Sequence, residues 1–330
     1  MRKIIKSDMA FLLLFASEFT FYLLILQTGI VEYHNSNMAE IWMVPVGGVI
    51  GIVASIFVYK ERQWLTPTLL FLQLLLSFHY ASANGIELFL LGLISGLTAP
   101  MLIARIDRFW IVVVALAISY TYGTYYFDVL ALERTNIALF LSAIALLSSL
   151  FAQMQRVKKT VEFISLFSAG SIFLWLLLDA SLFETLSRDN TMYLWGNDTF
   201  TLNIIIFHII GLVVAYKAID YRYNSSLLFA LFILTYTLYT FEWQVALSIV
   251  YPFVISYYNV IILRALMNLP YAILAVMAIS LWGASGLGLL VALSQSFSIA
   301  WGILALLGVI YLSEDIKRIL SFQTPTSRSL

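Results

Sequence analysis

LFLLGLISGLTAPMLIARI, residues 88–106, holds no charge from Leu88 to Ala104 and stops on Arg105. Seventeen uncharged, mostly apolar residues form a helix about 25 Å long at 1.5 Å per residue, close to the ~30 Å of a bilayer's hydrocarbon core. Gly92, Gly96 and Pro100 recur every four residues along it, with Ser95 and Ala99 on the adjoining row. Small residues on one helix face permit close approach of a neighbour, the main source of helix association in lipid. Gly47, Gly51 and Ser55 repeat the pattern, and Gly283 to Gly288 concentrate three glycines.

The same composition runs the length of the chain. Its 330 residues are 62% hydrophobic and 11% charged, with mean hydropathy +0.94, against roughly 25% charged residues in soluble domains. Apolar segments predict twelve spans: 9–31, 40–59, 64–82, 86–104, 108–127, 134–154, 160–182, 200–217, 225–241, 244–263, 269–284 and 288–312. Threaded with the N-terminus in the cytoplasm, they leave sixteen of the eighteen Lys and Arg residues on one side; only Arg134 and Arg188 lie on the other. Basic loops resist translocation, so this bias sets the orientation. The expectation is an all-α, multi-pass protein of the cell membrane with both termini cytoplasmic and the bilayer as its surroundings.

Twelve spans leave no room for a soluble catalytic or nucleotide-binding domain. No phosphate-binding glycine loop is present, so no ATPase subunit is evident, and no nucleic-acid partner or cofactor is expected. The absence of cysteine excludes disulfides and thiol chemistry. The three histidines, His34, His79 and His208, lack metal-ligand spacing, so no metal site is expected. A basic connector at 155–159 divides the chain near its midpoint into 1–154 and 160–318, each a six-helix bundle, followed by a cytoplasmic tail at 319–330. Ala117-Ile118-Ser119 with Gly123 matches Ala278-Ile279-Ser280 with Gly283 at an offset of 161, a trace of an internal repeat. The longest predicted outer loop is 183–199.

Ionisable side chains at mid-membrane are costly and mark function by default. Glu18 falls ten residues into span one and His208 eight or nine into span eight; every other acidic residue is expected near a span end or in a loop. Glu18 is a candidate proton carrier or counter-charge to a cation, with a hydrogen-bonded packing role as the alternative. His208 is a candidate proton acceptor paired with Glu18 or Asn203, or a neutral packing residue. In span ten Ser248, Tyr251, Tyr258 and Asn259 share about a third of the helix circumference, and Pro252 breaks the backbone ladder among them. Trp42, Trp64, Trp110, Trp195 and Trp243 suit an interfacial belt.

Twelve spans, both ends inside, a central basic connector and the glycine-rich span four with its proline together resemble the major facilitator superfamily. The resemblance implies two six-helix bundles around a central cavity lined by spans one, four, seven and ten, which Glu18 and the span-ten stripe would face. It further implies a secondary transporter of a small molecule or ion rather than an enzyme, with Gly47, Gly51, Gly92, Gly96, Pro100, Pro252, Gly283 and Gly286 as packing and gating positions. The chain departs from the family in three places. Its loop after span two, YKERQWL, keeps only Lys60 and Arg62 around Glu61. The Arg that often precedes the span-four glycines is replaced by the Glu87-Leu88 neighbourhood. Span five has no Gly-Pro signature. A non-transporting scaffold or receptor on the same fold, and a polytopic membrane enzyme, are the competing functions.

Overall fold

A computed structural model describes residues 2–28, 38–59, 64–152, 165–189, 191–220, 224–295 and 297–323. Twelve long helices run through them: α1 Arg2–Phe21, α2 Met43–Val58, α3 Leu65–Ser77, α4 Gly85–Ala104, α5 Phe109–Tyr125, α6 Ala131–Phe151, α7 Leu166–Leu186, α8 Asp198–Lys217, α9 Asn224–Thr240, α10 Gln244–Met267, α11 Tyr271–Leu293 and α12 Phe297–Gln323. Seven spans have the length and apolarity to cross a membrane; the apolar helices in α2, α3, α5, α9 and α12 are shorter. Large side chains such as Phe57, Leu130 and Leu132 stand on the outside, as a lipid-facing surface requires. The protein is a multi-pass membrane protein. The predicted connector at 155–159, the basic residues Lys60, Arg62 and Arg222, and residues 324–330 of the predicted tail lie outside the described residues, while 319–323 of that tail continue α12.

Several boundaries move from their predicted places. Helix α7 starts at a capped Ser165, whose hydroxyl accepts the Ser168 N–H, and continues to Leu186. The loop predicted over 183–199 therefore shrinks to 187–197. Asn197 accepts the Thr199 N–H and caps α8. The glycines expected to separate spans eleven and twelve lie inside α11, and the chain turns instead at Ser294-Gln295, where Gln295 takes the left-handed φ of 51°. Glycine in a lipid-embedded helix is tolerated because no water competes for its backbone.

The helices pack in two sets. Among the first six, α2 lies on α4, and α6 packs on α1 and α3; among the last six, α7 lies on α11 and α8 on α10. Contacts between the sets run mainly through α5–α8 and α2–α11. The α2–α4 crossing is the closest. A Cβ on Gly47 or Gly51 would stand 2.1 or 2.2 Å from the carbonyl of Phe89 or Leu93, and one on Gly92 or Gly96 would stand 2.2 or 2.1 Å from that of Val44 or Gly48. These four glycines pack helix on helix at that crossing, where Gly47 and Gly51 meet α4 and not α11. Gly283 and Gly286 do not: nothing stands within 4 Å of a Cβ on either. Helix α2 meets α11 through Gly48 against the Trp282 ring, and the packing glycine of α11 is Gly288, set against Leu177 and Ala180 of α7. Pro100 and Pro252 are buried within α4 and α10, which continue through them.

Helix α1 continues beyond Phe21 as a π-helix over Tyr22–Gln27. The wider turn leaves carbonyls to outside donors. Arg134 Nη1 donates to Leu24 O at 2.7 Å and Tyr80 Oη to Ile25 O at 2.7 Å, while Thr28 Oγ1 returns to Leu23 O at 2.8 Å. Short π segments often lie at functional sites because they re-aim the side chains beside them. Here the re-aimed residues reach the cavity described next.

Candidate functional site

Helices from both sets surround a cavity of about 270 Å³. Glu18, Tyr22 and Gln27 reach it from α1, Ser95 and Thr98 from α4, Tyr120 from α5, Asp179 from α7, His208 from α8, Tyr258 and Asn259 from α10, and Trp282 and Ser285 from α11. Its walls are mostly apolar, and no Lys or Arg lies among the described residues that line it.

Glu18 is held by α3. The Gln73 amide donates to Glu18 Oε1 at 2.8 Å, and the nearby Thr98 hydroxyl donates to its own helix at Ile94 O, 2.9 Å away. Gln73 is itself buried and touches Ser142, which bonds Ser77 at 3.1 Å, so a polar chain runs from Glu18 into the α3–α6 interface. A neutral amide can serve either protonation state of the carboxyl.

Sequence reasoning missed the second carboxylate. Asp179 was expected near a span end, but the extended α7 places it seven residues before the helix terminus, 9% exposed, against the same cavity. Tyr258 Oη donates to Asp179 Oδ2 at 2.5 Å. Tyr251 Oη lies 3.0 Å from Oδ1 and 2.9 Å from the Asp179 carbonyl. The polar residues DASLFET at 179–185 look like an interface in one dimension; in space Asp179, Ser181 and Glu184 point inward. The legible signal was the tyrosine stripe of span ten, whose hydroxyls need an acceptor when buried.

The stripe itself divides. Tyr258 and Asn259 face the cavity, whereas Tyr251 is buried behind Asp179 and Ser248 bonds its own helix at Val245 O, 2.8 Å away. His208 does not pair with Glu18 or Asn203. Its Nδ1 lies 2.8 Å from Ser256 Oγ, the ring meets the Pro252 carbonyl, and the opposite edge of the site stacks Tyr120 upon it at 4.4 Å and 16°. Gly211, one turn away, would clash with Phe253 O at 2.6 Å if it bore a Cβ, so α8 and α10 touch closely enough for that bond. Tyr120 is 5% exposed and its hydroxyl has no partner among the described residues.

Rings close the end of the cavity nearest the 187–197 loop. Trp195, expected at a membrane edge, is 6% exposed and packs edge-on against Tyr251 at 5.6 Å and Phe183 at 5.1 Å. Tyr193 Oη crosses between the sets to Asp128 Oδ1 at 2.8 Å, and Glu184 of α7 accepts from Arg188 Nη1 at 2.6 Å. In that loop Asp189 is the hub. Slight burial works against its charge, but donors from Thr191, Tyr239 and Met192 outweigh it and hold the carboxyl below the usual aspartate range. At the opposite end Tyr59 stacks on Tyr271 at 3.6 Å, and the Arg264 guanidinium lies over the Phe109 ring, 5.4 Å from its centroid.

No protein-family model matches this sequence, and no curated protein matches it. Its backbone does match a solved structure, that of FucP, a major facilitator superfamily transporter in the outward conformation. The TM-score is 0.58 over 94% of this chain and 97% of that one, at 13% identity. The chain has the major facilitator fold. A likeness at that identity establishes the fold alone. Within the major facilitator fold the cavity lies between the two helix sets, and Glu18, Asp179, His208 and Tyr258 are this chain's own furnishing of it.

Proposed function

We propose that this protein is a secondary active transporter whose twelve helices cross the membrane as two six-helix bundles, 1–154 and 160–318, and carry a small solute by alternating access. The observation that carries this reading is a mid-depth cavity shared by both helix sets and holding two carboxylates. Contacts between the sets at both of its ends, Tyr59–Tyr271 and Tyr193–Asp128, supply bonds that break in turn as the cavity opens to one side or the other. The close α2–α4 crossing in the first set, and the glycine contacts of Gly288 on α7 and Gly211 on α10 in the second, make each set stiff enough to move as a body.

Glu18 carries proton coupling in this reading. It lines the cavity, no Lys or Arg is among the described residues that line it, and its Gln73 donor tolerates both protonation states. Glu18→Gln keeps the shape and the hydrogen bond while removing the titration. In proteoliposomes screened with a panel of amines, amino acids, sugars and organic acids, a transported solute should move protons with it in the wild type. Glu18→Gln should abolish pH-driven accumulation and retain exchange between labelled internal and external pools. Unchanged pH dependence and affinity in a folded Glu18→Gln protein would refute the assignment.

A further inference from the structure

The furnishing around Asp179 narrows what the cavity can hold. Resting on the transport reading for its context, we infer that the cavity binds an organic ammonium ion with an apolar body, its charged nitrogen seated between the Asp179 carboxylate and the Tyr120 hydroxyl.

The carboxylate comes first. Asp179 faces the cavity with two phenol hydroxyls on it and no Lys or Arg among the described lining residues. Phenol donors lower the cost of a buried charge without neutralising it, and an unpaired intramembrane carboxylate is characteristically the counter-ion of a ligand. Tyr120 is an independent observation. Its side chain lines the same cavity, its hydroxyl is buried without a partner among the described residues, and it lies within electrostatic range of Asp179. A buried hydroxyl left without a bond carries an uncompensated desolvation cost, which a bound N–H group would relieve. An ammonium offers up to three donors, enough for both oxygens.

The rest of the wall selects the body. Phe19, Tyr22, Tyr258 and Trp282 present rings to the space, and aliphatic side chains fill the remainder. Aromatic faces attract a desolvated cation through the ring quadrupole and accept an apolar tail equally well. Other classes fit less well. An organic anion would meet two carboxylates and no Lys or Arg among the described lining residues. A divalent metal needs six or more oxygen ligands, or a cluster of acidic and imidazole groups that the described residues do not form. A sugar would leave most of its hydroxyls against hydrocarbon.

The test is equilibrium binding to the full chain in phosphatidylcholine nanodiscs by titration calorimetry at pH 8, with empty nanodiscs to subtract partitioning. Three probes share one body: 4-phenylbutylamine, 4-phenylbutan-1-ol and 4-phenylbutyrate. The amine should bind at least tenfold tighter than the alcohol, and the butyrate should bind most weakly. Asp179→Asn should shrink the amine's advantage to less than threefold. Should that variant fail to fold, Tyr120→Phe serves, and it should weaken the amine at least threefold more than the alcohol. A wild type that binds none of the probes, or binds alcohol or butyrate as well as amine, overturns the inference, as does an amine preference that survives in folded Asp179→Asn. Protein that selects the amine but moves nothing in proteoliposomes fails the transport reading alone; transport of a sugar or an anion fails this inference alone.

Discussion

Replacing Gly96 by alanine adds one methyl group at the closest backbone crossing in the molecule. Its Cβ would stand 2.1 Å from the Gly48 carbonyl oxygen and 2.8 Å from the carbonyl carbon. Relieving that contact to an ordinary separation of ~3.3 Å moves α2 and α4 apart by roughly 1 Å, and the same movement loosens Gly47, Gly51 and Gly92. Overpacking costs about 1–3 kcal/mol in cores that can adjust; rigid backbone on both sides places this one near 3. Alanine's helix propensity returns at most ~1 kcal/mol. At an unfolding entropy of ~2.1 cal/mol/K per residue, a net loss of about 2 kcal/mol lowers the midpoint by ~3 °C for a chain this long. The true shift is larger, because helices that persist in lipid reduce that entropy. Gly283→Ala provides the comparison. Nothing lies within 4 Å of the new methyl, so only the propensity term remains and the variant should melt at or above the wild type. Thermal unfolding of both purified variants, followed by intrinsic fluorescence, decides. Equal midpoints, or a less stable Gly283→Ala, would refute the packing argument.

Orientation is checked in the Cys-free chain by single cysteines: Asn197→Cys should react with an impermeant thiol reagent in intact cells and Lys158→Cys should not, and the reverse pattern overturns the polarity. Tyr271→Ala removes the 3.6 Å stack on Tyr59; in inside-out vesicles it should raise the labelling rate of a Ser95→Cys reporter in the cavity several-fold, and an unchanged rate would mean the stack is no barrier. Asp189 has its folded pKa below the usual value, so its contribution to loop stability is present above the ordinary aspartate range near pH 4 and is lost as pH falls through the folded value. Hydrogen exchange at the Thr191 and Met192 amides should therefore accelerate, relative to intrinsic rates, only at strongly acid pH, and at all pH values in Asp189→Asn.

What the one-dimensional sequence determined is the class of the molecule. Hydropathy and the placement of Lys and Arg are additive along the chain and are read by the membrane itself, so twelve apolar segments and their glycine faces at Gly47, Gly51, Gly92 and Gly96 were legible without coordinates. Glu18 was legible too, because it interrupts an apolar run far from either end. Tertiary structure alone decided who faces whom. Each residue turns a helix by 100°, and a boundary four residues in error carries a side chain about 6 Å along the axis. Such errors put Asp179 within a turn of a span end instead of well inside a helix, placed Trp195 at an interface instead of beside the cavity, and took the α11 glycines for a break. His208 found Ser256 and Tyr120 rather than Glu18 because α8 packs on α10 and α5, a choice made by shape. The π turn of α1 left no mark in YLLILQ, since it is held by Arg134 and Tyr80, partners distant in the chain. Lipid solvation is a property of segments; the pairing of two carboxylates with a glutamine and two tyrosines is a property of the packed bundle.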